Sequence, residues 1–235
     1  MKGKIFITVF FLFATLFIAC SGSGDASPSG NIEGVYMGLQ SGFSSDGTIL
    51  KRGYYLLVYN DGKLKATQLL PENGFISFNK EADIKANQDY WADYNLQTGK
   101  AVFKTSNNRT VSIAFKNNSI FYNGDEFVKV PSVDALTLAG VYSADQDPLA
   151  VQAFGYEPII TFYKDGRFED MTALYYVNSY DAMFKNPGNG KYKINNLTIE
   201  MMYDDGRGSA SFPFINLSGA SLSSIQIGEK VILKK

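Results

Sequence analysis

Leu57-Val-Tyr-Asn-Asp-Gly-Lys-Leu64 and Thr161-Phe-Tyr-Lys-Asp-Gly-Arg-Phe168 are one pattern written twice, 104 positions apart. Each is an apolar–aromatic run, an Asp-Gly pair and a second run. Asp-Gly between such runs signals a two-residue β-hairpin loop, whose type I′ geometry needs φ > 0 at both central positions. In that register Asn60 faces Lys63, Tyr59 faces Leu64, Val58 faces Lys65 and Leu57 faces Ala66. Alternate residues of a strand share a face. Leu57, Tyr59, Leu64 and Ala66 are therefore expected inside, with Val58 and Lys65 outside. In the copy, Thr161, Tyr163 and Phe168 fall inside, and Lys164, Arg167 and Glu169 outside.

The surroundings of the two hairpins also repeat. Gly34-Val-Tyr36 returns as Gly140-Val-Tyr142, and Tyr94-Asn-Leu-Gln97 as Tyr192-Lys-Ile-Asn195. The turn at Asn107-Asn108 returns as Asp205-Gly206, and Gly124-Asp-Glu-Phe-Val128 as Gly228-Glu-Lys-Val-Ile232. Five landmarks in one order indicate a tandem duplication, with repeats at 32–131 and 132–235. The join at 130–135 is short, so the halves should touch. Helical spacing is sustained nowhere, whereas short apolar runs end repeatedly in Asp-Gly, Asn-Gly or Asn-Asn. Further hairpins follow at 101–106 with 109–115, 197–204 with 207–214, 119–122 with 126–130, and 224–227 with 230–234. The second arm of the copied Asp-Gly hairpin reads as strand from 167 to 177. The expected fold is all-β: two tandem small antiparallel up-and-down barrels of about eight strands each.

Residues 1–19 form an export signal. Met1-Lys-Gly-Lys4 is positive, and residues 5–18 are almost wholly apolar but too short to cross a bilayer as a helix. Phe17-Ile-Ala-Cys20 resembles the lipobox of bacterial lipoproteins, in which a small residue precedes the cysteine that becomes lipidated; Phe17 stands where Leu is usual. The resemblance implies lipid attachment at Cys20, the only cysteine of the chain. Ser21, rather than Asp, implies the outer membrane, facing the periplasm or the surface. Residues 20–31 make a flexible tether, whose Gly/Ser-rich stretch spans about 17 Å as a coil. With Cys20 carrying lipid no disulfide can form, so stability rests on packing.

Eight antiparallel strands opening with Gly-Val-Tyr and carrying a Phe/Tyr-x-Asp-Gly-x-Phe hairpin resemble the bacterial lipocalin-like lipoproteins. The second repeat matches better. The first has Asn107-Asn108 in place of Asp-Gly, and an insertion near 72–87. The resemblance implies a barrel and membrane anchoring; its motifs are folding motifs and name no ligand.

Composition narrows the chemistry. The 235 residues are 45% hydrophobic and 14% aromatic, enough to bury a core. The 22 Lys and Arg, less Lys2 and Lys4 of the signal, face 23 Asp and Glu, so no basic surplus exists to bind nucleic acid. The chain has no histidine. Without His or a free thiol, His-based triads, thiol catalysis and ordinary zinc or haem sites are unsupported, so no cofactor, metal or enzymatic activity is expected. Glu169 and Asp170 are adjacent on a strand and point to opposite faces, which bars them from acting as an acid–base pair. Asp204-Asp205 and Asp125-Glu126 sit at turns, where Asp is favoured for backbone reasons. Asp145-Gln-Asp147 lacks the further oxygens of a calcium loop. Asn186-Pro-Gly-Asn-Gly190 reads as a loop before a strand and cannot form a phosphate cradle.

The aromatics Tyr90, Trp91, Tyr94, Tyr175 and Tyr176 are the candidate ligand contacts. A barrel mouth lined by such rings suits a small hydrophobic or amphipathic ligand. The same rings could instead fill a small barrel or the contact between halves. Two functions follow: an anchored lipoprotein binding a ligand in a barrel, or an interaction lipoprotein with filled barrels that presents loops to an envelope partner. The anchor is directly testable. Cys20→Ser, expressed in a Gram-negative host, should leave the membrane pellet and detergent phase for the soluble fraction; retention equal to the parent would overturn the assignment.

Overall fold

Each Asp-Gly hairpin supplies the second and third strands of a closed barrel in the structure, a computed structural model that describes residues 31–43, 49–105, 108–143, 157–178 and 181–235. The signal, Cys20, most of the tether and Asp145-Gln-Asp147 lie outside the described residues. The first barrel runs β1 (Gly34–Phe43), β2 (Ile49–Val58), β3 (Lys63–Thr67), β4 (Trp91–Asn95), β5 (Lys100–Phe103), β6 (Thr110–Lys116), β7 (Ser119–Tyr122) and β8 (Asp125–Lys129). The second runs β9 (Gly140–Ser143), β10 (Ile159–Phe162), β11 (Arg167–Met171), β12 (Gly188–Asn195), β13 (Thr198–Tyr203), β14 (Ser209–Asn216), β15 (Ser224–Ile227) and β16 (Lys230–Lys234). Neighbours in sequence pair antiparallel, and β1–β8 and β9–β16 close the two rings. This is the tandem pair of eight-stranded up-and-down barrels expected from the repeats, and it fits a lipocalin-like fold.

The hairpin register differs by one residue from the expected one. Tyr59 N donates to Lys63 O at 2.9 Å and Gly62 N to Tyr59 O at 3.2 Å, so the loop is Asn60-Asp61-Gly62, three residues long. Tyr163 and Arg167 repeat the arrangement. Within each Asp-Gly pair only the glycine has a positive φ, +80° at Gly62 and +83° at Gly166. This is a turn closed by a left-handed glycine bulge rather than type I′. Val58 therefore faces Leu64, Leu56 faces Ala66, and Phe162 faces Phe168. Leu64, Ala66 and Phe168 point inward as expected, and Lys65 and Glu169 outward. Val58 moves inside, while Leu57, Tyr59, Thr161 and Tyr163 move to the outer wall. Tyr163 there is 37% exposed and donates its hydroxyl to Glu169.

The repeated tyrosine on β4 and β12 braces these loops. Tyr94 N donates to Gly62 O and its hydroxyl to Tyr59 O; Tyr192 does the same to Gly166 O and Tyr163 O. Inside, aromatic rings meet edge to face and fill both barrels. Phe103, Tyr122 and Phe127 form one chain in the first, with centroids 5.9 and 6.3 Å apart. In the second, Phe162 meets Tyr192 at 5.0 Å and Phe168 meets Tyr203 at 5.1 Å.

Leu57 is only 2% exposed although it is on the outside of its barrel, because Val35, Leu57, Leu70, Val130 and Ile215 form a third core between the barrels. The halves touch, as the short join required. Tyr55 donates its hydroxyl to Gln226 Oε1 at 2.9 Å across this seam. The segment after β3 docks there too: Phe75 N donates to Thr198 Oγ1 at 2.7 Å. A Cβ on Gly74 would come within 2.3 Å of Thr198, so only glycine lets the segment lie flat on the second barrel.

Helix appears where none was expected, between the third and fourth strands of each repeat: α1 (Lys80–Ala86) and α2 (Ala173–Val177). Strand β11 thus ends at Met171, not at 177. Thr172 takes φ +67°, turning the chain, and Asp170 Oδ1 accepts from Leu174 N at the new helix's start. The apolar Ala173, Leu174, Tyr176 and Val177 are buried in the second barrel's core.

The stretch 186–190 is also corrected, because Gly188 and Gly190 belong to β12 and face the interior. A Cβ on Gly190 would sit 2.0 Å from Met202 O and 2.9 Å from the Phe168 ring, which occupies the hollow the missing side chain leaves. Gly206 has φ +79° but nothing within 4 Å. Gly190→Ala should therefore cost about 3 kcal/mol, an overpacking loss, against about 1 kcal/mol of left-handed strain for Gly206→Ala. Urea midpoints of the two variants give the comparison, and equal midpoints would contradict it.

Candidate functional site

The five aromatics do not converge. Tyr90 ends a short 3-10 turn and is 53% exposed. Trp91 opens β4 on the outer wall, buried beneath α1; its Nε1–H donates to Asp83 Oδ2 at 2.8 Å, and its ring lies 5.7 Å from that of Tyr59. Tyr94 points inward and braces the hairpin. Tyr175 and Tyr176 belong to α2 in the other barrel, and Lys230 Nζ stands 5.0 Å above the Tyr176 ring. Trp91 and Tyr176 are thus anchors for the helical insertions, Trp91 on the outer wall and Tyr176 in the second barrel's core, and Tyr90 alone of the five borders a large hollow beside the first barrel. Burial in an outer layer leaves no mark on strand periodicity, which is why the sequence could not separate them.

That hollow is a groove of about 860 Å³ at the mouth of the first barrel. It forms because the chain between β3 and β4 leaves the wall, crosses to Thr198 and returns as α1, leaving space over β3. Tyr54, which faces inward at the barrel rim, and Tyr90 border one end; Leu69, Leu70 and Phe78 give an apolar side. Leu69 is 57% exposed. On the floor Lys65 Nζ pairs with Asp83 Oδ2 at 2.7 Å. Burial opposes the charge on Asp83, but hydrogen bonds from Lys65, Trp91 and Asn87 outweigh it and hold the carboxyl below its ordinary range. The groove therefore offers an apolar side, two tyrosine rings and a fixed ion pair, a lining suited to an amphipathic molecule. Tyr54, Leu69 and the Lys65–Asp83 pair escaped the sequence reading. The signal that pointed there was the 72–87 insertion, where the first repeat carries extra chain.

The second barrel holds a buried carboxyl group. Asp170 faces the interior and Glu169 the outside, as strand alternation required. Asp170 is 1% exposed, accepts from the Tyr203 hydroxyl at 2.6 Å, and caps α2 through Leu174 N. Burial pushes its carboxyl up to about 6, and the Tyr203 and backbone hydrogen bonds only partly offset this. Its bonds are those of a helix cap. Among the described residues no group of three His, Cys, Asp or Glu side chains could hold a metal ion.

Asp170 gives the fold a pH dependence of definite sign. Its folded value is raised from 3.8 to about 6, so between those limits the folded state binds a proton that the unfolded state has released. Stability gained from this group is full below pH 3.8 and is lost as the pH rises through 6, up to about 3 kcal/mol in all at 1.36 kcal/mol per unit. Asp61, Asp83 and Asp93 are lowered instead, so their contributions are lost only as the pH falls below the ordinary carboxylate range. Urea unfolding followed from pH 7 to pH 5 should show rising stability in the parent and a flatter profile in Asp170→Asn.

Comparison of the chain with protein-family models, with curated proteins and with solved structures finds no match in any of the three. The geometry alone therefore describes the molecule: two closed eight-stranded barrels in tandem, in a lipocalin-like arrangement.

Proposed function

We propose that the chain is a lipid-anchored lipoprotein of the bacterial outer membrane, without enzymatic activity, that binds an amphipathic ligand in the groove at the mouth of its first barrel. The observation that carries this reading is where the space lies. Rings and aliphatic side chains pack the barrel interiors, whereas the groove over β3 is open, half apolar and large enough for a small molecule. The sequence put the ligand in a barrel with its ring contacts at the mouth; the groove keeps the mouth, on the first barrel, and leaves out the interior. The anchor rests on Cys20 and the signal before it, and the tether keeps the folded part near the lipid surface.

A second reading, an interaction lipoprotein that docks an envelope partner, is favoured by the outer wall of the first barrel. There Val128 lies directly opposite Met37, with Leu39 beyond it; Val128 and Leu39 are 57% and 56% exposed. Ligand binding separates the two. Trp91, the only tryptophan, adjoins the groove and can transfer excitation to a bound dansylated fatty acid. Tyr90→Ala and Leu69→Ala should each weaken that binding about tenfold, equivalent to 1.4 kcal/mol. Phe162→Leu, deep in the second barrel, should leave it unchanged. No saturable transfer, or affinity indifferent to both groove substitutions, would favour the docking reading.

A further inference from the structure

A second hollow, of about 710 Å³, lies in the seam between the barrels, on the other side of the segment 68–72 from the first. Its floor is built: Tyr55 and Gln226 are both more than nine-tenths buried and joined by the hydroxyl-to-carbonyl bond described above, while Gln226 Nε2 is held by Gly228 O at 2.9 Å. Leu69, Leu70, Val177, Phe212 and Pro213 give it apolar walls drawn from both halves of the chain. Its ionisable rim is of one sign. Glu72 comes from the first repeat, and Asp181 and Glu229 from two loops of the second; among the described residues of the lining there is no lysine or arginine.

None of these three carboxylates takes part in an ion pair among the described residues. Asp181 accepts from Met183 N and Asn178 Nδ2, which fixes its position and leaves its charge unmatched. Lys230, next in sequence to Glu229, is turned away onto the Tyr176 ring. The carboxylates are too dispersed to share one metal ion, since no three acidic side chains among the described residues are grouped for that. Matching them takes several positive charges at a distance from one another, carried on a body that also covers leucine, proline and phenylalanine surface.

We infer that this inter-barrel cleft is a binding site for a linear aliphatic polyamine, its ammonium groups matched to Glu72, Asp181 and Glu229 and its methylenes laid along the apolar walls. The site is distinct from the groove at the first barrel's mouth and exists only because the two barrels are packed together.

The test is isothermal titration of spermidine into the detergent-solubilised full chain at low ionic strength, where exposed charges are least screened. Saturable binding is expected, weakened at least about tenfold in the Glu72→Gln, Glu229→Gln double variant, a change near 1.4 kcal/mol. Both residues are exposed, and glutamine keeps their shape, so folding should be untouched; thermal unfolding of the double variant checks this. Tyr90→Ala should leave spermidine binding intact, which separates this site from the first groove. Three results would overturn the inference: no saturable binding, equal affinity in the double variant, or displacement of spermidine by equimolar Mg²⁺. A Lys-Leu-Lys peptide that binds where spermidine does not would instead assign the cleft to a protein segment.

Discussion

The one-residue length of a turn governs this molecule. Because Asn60-Asp61-Gly62 closes as a three-residue loop with glycine in the left-handed region, Leu56 and Val58 enter the barrel and Leu57 leaves it. A strand cannot adjust by halves: a slip of one position moves every side chain to the opposite face. With Leu57 outside, the first barrel presents an apolar wall, and that wall is what the second barrel covers. The contact between halves, the seam and the hollow beside it all descend from the same glycine.

The two repeats then use one position differently. Between the third and fourth strands both insert a helical segment. In the second repeat it is short and apolar, Ala173–Val177, so it sinks into the core and is capped by a buried aspartate. In the first it is longer and charged, Lys80–Ala86 with no buried residue, so it stays outside and is tied down by Lys65 and Trp91 through Asp83. Duplication supplied two equal barrels, and divergence of this one insertion produced a groove on only one of them. The aromatic content that suggested a ligand cavity is largely spent on filling the interiors.

Much of the architecture was legible in the residues: the duplication, the eight strands per repeat, the positive φ of Gly62 and Gly166, the opposed faces of Glu169 and Asp170. Those features are local, set by turn chemistry and by alternation along a strand. The candidate site was legible only in part. Tyr90 was placed at a rim, but Trp91 and Tyr176 proved to be anchors. Nothing in a one-dimensional pattern distinguishes an aromatic that faces a barrel core from one pinned beneath a helix on the outer wall.

What the sequence by itself determined was a pair of tandem β-barrels, because five ordered landmarks and their turn residues leave few other folds for the chain. What only the tertiary structure decided was which face of each strand is buried and where space remains. Where β1 and β2 lie against the second barrel, both faces are apolar and both are buried, Tyr36 and Leu56 inside the barrel and Val35 and Leu57 against its neighbour, so the period-two signal that fixes register vanishes there. Register then falls to the backbone geometry of a single loop, and the hollows to how far two closed barrels can approach each other.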